Sequence, residues 1–71
     1  QFDLVAANLT ANILERLATQ IVAALKPGGM LIASGLLEDQ AQAVAERFLA
    51  EGTILQETIA REDWRSLLLR R

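Results

Sequence analysis

Seventy-one residues, 52% hydrophobic but only 4% aromatic, fit one small domain with an aliphatic core, since a chain this short buries only about 60% of its unfolded surface. A formal charge of −2 argues against nucleic acid or an anionic membrane as a main partner, because both call for a basic stripe. The absence of cysteine and histidine removes disulfides, thiolate metal sites and the commonest general base.

No apolar run approaches the roughly 20 residues of a membrane span, and nothing resembles a signal peptide. A cytoplasmic location is therefore the expectation. The chain opens at Gln1 with a strand already under way at Phe2, which reads as the interior of a longer protein.

The first predicted element is a strand over residues 2–7, "FDLVAA". Its apolar residues run on without alternation, as in a strand covered on both faces. Asn8 ends it. Beyond it, Leu14, Leu17, Ala18, Ile21, Val22 and Leu25 recur at spacings of three and four, one stripe of a helix from Ile13 to Leu25. "KPGG" (residues 26–29) stops that helix, since proline cannot continue it and glycine accepts a left-handed turn.

"MLIASG" (residues 30–35) reads as a second apolar strand. A second helix follows over residues 38–51, burying Ala41, Val44, Ala45, Phe48 and Leu49, with Glu38 and Asp39 suited to its N-terminal dipole. Gly52 ends it. "TILQETIAR" (residues 53–61) mixes polar and apolar residues as a half-exposed antiparallel strand does. "EDW" (residues 62–64) reads as a turn and "RSLLLR" (residues 65–70) as the returning strand. Trp64 is expected to anchor packing rather than to serve as a substrate platform, and the closing arginines, Arg70 and Arg71, to form a solvated tail. The order is β-α-β-α-β-β, one α/β unit over residues 1–71 with no internal boundary.

Right-handed crossovers put both helices on the same face of such a sheet. The other face of "LVAA" and "MLIAS" then has no cover within the chain, although strands this apolar usually have helices on both sides. An upstream segment or a partner is expected there, and the isolated chain is expected to self-associate through that face.

Asn8 lies just past the carboxyl end of the first strand, the edge at which open α/β sheets bind ligands. Its amide offers a donor and an acceptor without charge, although a turn role suits it equally. Asn12 has Glu15 three residues on, so it is read first as a helix cap.

Taken together, "FDLVAANLTAN", "LKPGGMLIASGLLEDQ" and "REDWRSLLLRR" resemble the C-terminal half of a class I, S-adenosylmethionine-dependent methyltransferase. More narrowly, they are similar to the bacterial ribosomal protein L-eleven methyltransferase family, with its "VANI-x-AN" segment, its "LKPGG-x-L-x-x-SG" strand entry and its "EDW" turn. The likeness covers essentially the whole chain. Thr10 departs from it, standing where a larger aliphatic residue is usual.

The resemblance implies the last four strands of a seven-stranded, Rossmann-like sheet closing in an antiparallel hairpin. It implies S-adenosyl-L-methionine as cofactor and an amine, lysine or N-terminal, of a large-subunit ribosomal protein as substrate, with no metal. Asn8 is then the catalytic residue. Asn8 and Leu9 lie against the methionine end of the cofactor, and Asn8, Gly35 and Leu36 against the substrate.

Methyl transfer to an amine needs positioning and a neutral nucleophile. No general base is evident without histidine; Glu38 and Asp39 qualify by location but read first as dipole partners. No glycine loop follows a first strand, and no acidic residue ends a second one for a ribose. The isolated chain is therefore expected neither to bind the cofactor tightly nor to turn over. Two rival readings remain: a methyltransferase of this class acting on a small molecule or a nucleic-acid base, and a non-catalytic α/β interaction module.

Overall fold

The structure, a computed structural model, describes all residues 1–71. Its elements are β1 (Phe2–Ala7), α1 (Ala11–Ala24), β2 (Leu25–Leu37), α2 (Glu38–Leu49), β3 (Ile54–Arg61) and β4 (Trp64–Arg70). The strands form one sheet in the order β1-β2-β4-β3. β1 and β2 are parallel, and β4 returns antiparallel between β2 and β3. The predicted β-α-β-α-β-β order and the final hairpin are both present.

Both helices lie on one face and touch each other. Strand alternation turns Ala7, Leu31, Ala33, Leu67 and Leu69 toward them, and all five are buried. From the helices come Ala11, Leu14, Ala18 and Val22 of α1 and Ala41, Val44, Ala45 and Phe48 of α2. Phe48 is the largest fully buried side chain; truncating such a residue to alanine costs about 3–5 kcal/mol.

The opposite face is bare, as the handedness argument requires. Leu4 (56% exposed), Phe2, Ile54 and Ile59 stand open on it, with Met30, Ile32 and Leu68 half-buried between them. Trp64 joins this face by alternation and pairs with Leu37. At 54% exposure it is not the packing anchor expected.

Other expectations need correction. α1 starts at Ala11, and its cap is Thr10, whose hydroxyl accepts from the Ile13 N–H at 3.4 Å. Asn12 lies inside the first turn and caps nothing. Leu17 and Leu49, assigned to buried stripes, are 39% and 43% exposed, because each helix presents only a narrow arc to a four-stranded sheet.

"KPGG" is not a loop. Phe2 already pairs with Leu25, and β2 runs from there to Leu37, with a register shift before its pairing to β1 resumes at Leu4 and Met30. A Cβ on Gly29 would stand 3.1 Å from the Phe2 carbonyl oxygen and 2.9 Å from that of Lys26, so only glycine permits this approach of backbones. Arg71 is no free tail: its N–H donates to the Gly29 carbonyl at 2.9 Å, its own carbonyl accepts from Gly28 N–H at 3.0 Å, and its guanidinium donates to the Leu25 carbonyl.

Two polar devices close the helix layer. Thr53, a buried polar residue, donates its hydroxyl to the Phe48 carbonyl at 2.8 Å, beside the Glu51 N–H that donates to the same carbonyl at 3.0 Å at the end of α2. Between the helices, Glu51 accepts from Arg47 Nη1 at 2.7 Å and from Thr19 Oγ1 at 3.0 Å, while Arg47 Nη2 reaches Thr19 Oγ1 at 3.1 Å. These hydrogen bonds, Arg47 first and Thr19 second, hold the Glu51 carboxyl below its ordinary value.

A carboxyl depressed in the folded state stabilises above its unfolded pKa, about 4.3 for glutamate, and loses that contribution as pH falls through the lower folded value. Urea melts of Glu51→Gln should therefore show a shallower loss of stability than the parent as pH drops below about 4.3, and equal steepness would contradict the triad. The hairpin gives a second test. Its two-residue turn needs a positive φ at its first position, which Glu62 supplies at 55°. Glycine is the residue a turn with positive φ at that position alone prefers, so Glu62→Gly should raise the unfolding free energy by about 0.5 kcal/mol, the relieved strain less the added unfolded-state entropy.

Candidate functional site

The carboxyl ends of β1 and β2 lie side by side, with the last parallel pair formed by Ala7 and Ala33. Asn8 follows at once and is exposed. Its amide takes part in none of the side-chain hydrogen bonds of the chain. β1, buried only at its last residue Ala7, thus ends on a free amide two residues before the cap of α1.

Across the seam, β2 carries a bulge. Ala33 pairs with Leu67 and Leu36 with Arg65, so Ser34 and Gly35 together face Ser66. Gly35 takes the extra residue at φ 80°, the conformation that a glycine bulge uses. The Asn8 carboxamide lies over it: a Cβ on Gly35 would overlap Asn8 Oδ1, with Asn8 Cγ 3.6 Å away. Asn8 and Gly35, which the family resemblance sets together against the substrate, are in contact.

Leu9 is 37% exposed beside them. Leu36 is not. The bulge shifts the alternation by one, and the Leu36 side chain enters the core with no exposure. The expected contact of Leu36 with a substrate thus fails for its side chain, and Leu37, 39% exposed, is the apolar residue left at this tip.

Next to the tip is an open depression of about 570 Å³ lined by Leu37, Glu38, Asp39 and Asp63. Asn8 and Leu9 do not line it. Glu38 N–H donates to the Asp63 carbonyl at 3.0 Å, which fastens the hairpin turn to the start of α2. The Leu37 N–H donates to Gln40 Oε1 at 3.0 Å, half of a capping box. Arg65 Nη2 stands 3.4 Å from Glu38 Oε2 and donates through Nη1 to the Glu62 and Trp64 carbonyls at 2.9 Å each. Asp39 and Asp63 enter no ion pair, and no three carboxylates converge as metal ligands.

The approach of Asp63 to Glu38 and Asp39 escaped sequence reasoning. The signal was present: β4 runs antiparallel to β2, so the turn preceding it must land at the end where β2 finishes.

Comparison with known proteins agrees with this geometry. The family model described as Ribosomal protein L11 methyltransferase (PrmA) matches residues 1–71. The ribosomal protein L11 methyltransferase of Rhodopseudomonas palustris (strain BisB5) is 47% identical over 68 residues, which cover 96% of this chain and 23% of the relative. That of Brucella suis (strain ATCC 23445 / NCTC 10510) is 42% identical over 69 residues, covering 97% of this chain and 24% of the relative. The chain thus spans about a quarter of the length of these curated relatives. The crystal structure of a ribosomal protein L11 methylase from Lactobacillus delbrueckii subsp. bulgaricus superposes with a TM-score of 0.93 at 27% identity, over the whole of this chain and 37% of that one. By sequence over its full length and by fold, this chain belongs to the ribosomal protein L11 methyltransferase family.

Proposed function

We propose that residues 1–71 form the C-terminal part of the catalytic domain of an S-adenosylmethionine-dependent methyltransferase acting in the cytoplasm on lysine or N-terminal amines of ribosomal protein L11. The observation that carries this reading is the unpartnered Asn8 amide at the carboxyl tip of β1, set against Gly35. An exposed amide with no internal partner, beside a glycine that leaves room for it, fits the polar methionine end of the cofactor. Leu9 stands next to it. When bound, the cofactor supplies a methyl group on a sulfonium, an electrophile that needs neither a metal nor a covalent enzyme intermediate.

The work left to this chain is positioning. Asn8 orients polar groups at the tip without adding charge. Glu38, Asp39 and Asp63 make the neighbouring depression acidic, which favours a cationic amine and disfavours a phosphate-bearing substrate. That supports a protein amine over a nucleic-acid base. A lysine amine, with an ordinary pKa near 10.4, must still lose its proton before attack, and exclusion from water promotes that loss.

The bare sheet face fits the same proposal, because an upstream half-domain covering Phe2, Leu4, Met30, Ile32 and Leu68 would account for their apolar character. Without that cover the 71-residue chain is expected to associate. Sedimentation of the isolated chain should show dimers or larger species that Leu4→Lys shifts toward monomer. A parent that is monomeric at every concentration would count against the missing cover.

The catalytic reading is tested by exchanging residues 1–71 into the Rhodopseudomonas palustris relative at the matched segment and assaying methylation of L11. Asn8→Ala in that protein should lower kcat/KM by about 10- to 100-fold, the cost of lost positioning. An unchanged rate would remove Asn8 from the mechanism.

A further inference from the structure

Gly35 meets two separate demands, and only one is conformational. Its φ of 80° disfavours any L side chain, but Gly28 at φ 82° and Gly52 at φ 92° make the same demand in open surroundings, with nothing within 4 Å of an added Cβ. At Gly35 alone among the three, the space a side chain would take is filled, and it is filled by the Asn8 carboxamide.

The contact is specific in its polarity. The amide oxygen is the atom nearest the absent Cβ, Cγ follows at 3.6 Å, and no other heavy atom, the amide nitrogen included, comes within 4 Å. The Gly35 Cα–H therefore faces the carbonyl oxygen, an arrangement in which a weak C–H···O contact is available. The amide nitrogen lies farther from the seam than the oxygen.

We infer that Gly35 is a positioning residue: it seats the Asn8 carboxamide oxygen-down on the β2 bulge, so that the amide donors face out at the tip of the sheet. The inference rests on the reading of Asn8 as the contact group of the site and deepens it. Asn8 has no hydrogen bond to hold its rotamer, so the seat supplies the order. A Cβ at position 35 meets the free end of a side chain rather than backbone. The amide therefore yields first and the fold remains.

The test uses four substitutions in the Rhodopseudomonas palustris exchange protein: Asn8→Ala, Gly35→Ala, their combination, and Gly28→Ala as a control for the φ demand alone. Gly35→Ala should lose about as much kcat/KM as Asn8→Ala, 10- to 100-fold. The double variant should be no worse than Asn8→Ala, since coupled positions are not additive. Gly28→Ala should keep the parent rate. In the exchange protein labelled with 15N-asparagine, Gly35→Ala should move the side-chain NH₂ resonances that Asn8→Ala deletes and leave those of Asn12 in place.

Unmoved Asn8 resonances would overturn the seat. A Gly35→Ala rate equal to that of Gly28→Ala, with Asn8→Ala impaired, would overturn the positioning role while leaving Asn8 in the mechanism. Multiplying losses in the double variant would likewise overturn it. Full activity in Asn8→Ala would instead sink the underlying reading and the positioning role with it.

Discussion

The handedness of the strand–helix–strand crossover is the constraint on which the rest of this molecule depends. β1 to β2 through α1, and β2 to β3 through α2, are both right-handed connections advancing in the same direction, so both helices must fall on one face. From that follow the shared core of Leu14, Ala18, Val44 and Phe48, the Thr19–Arg47–Glu51 triad between the helices, and the bare face on the other side. The asymmetry is a property of the topology, not of any one residue. Apolar side chains on the bare face mark it as a surface meant for cover, since a sheet face that stays wet alternates to polar residues.

The same topology builds the tip. Parallel pairing ends at Ala7 and Ala33, so β1 and β2 deliver Asn8 and Gly35 to one place. An antiparallel β4 between β2 and β3 brings its preceding turn to that end as well, and with it Asp63. The bulge at Ser34–Gly35 then does two things at once. It lifts a glycine under the Asn8 amide, and by shifting the alternation it sends Leu36 into the core. A regular strand would do neither.

The elements were legible because their signals are local. Apolar runs mark β1 and β2, spacings of three and four mark the helices, and "EDW" marks the hairpin. What escaped depends on neighbours distant in sequence. "KPGG" looks like a helix stop and is one, yet it is also counted in the strand, because Phe2 pairs with Leu25 just before it and Arg71 bonds to Gly28 and Gly29 within it. Asn12 looks like a cap, but Thr10 stands where the chain leaves extended geometry. Leu17, Leu49 and Trp64 are apolar yet exposed, since periodicity reports which face a residue is on and not how far the opposing layer reaches. Of the site, Asn8 and Gly35 could be read from position and resemblance. Their contact, and the retreat of Leu36, needed the register of β2 against β4.

The identity of residue 8 carries a final argument. It lies two residues before Thr10, the cap of an α1 whose first turn contains no acidic residue, so the helix dipole does not oppose a carboxylate there. Aspartate has the same shape as asparagine and would fit the same glycine seat. It would forfeit both N–H donors and put a negative charge where the chain now offers a neutral amide. Local helix physics thus does not exclude the acid, while a donor at this tip requires the amide. The amide at this position is the choice that folding alone does not make, and it is where the demands of a bound ligand are written into the strand.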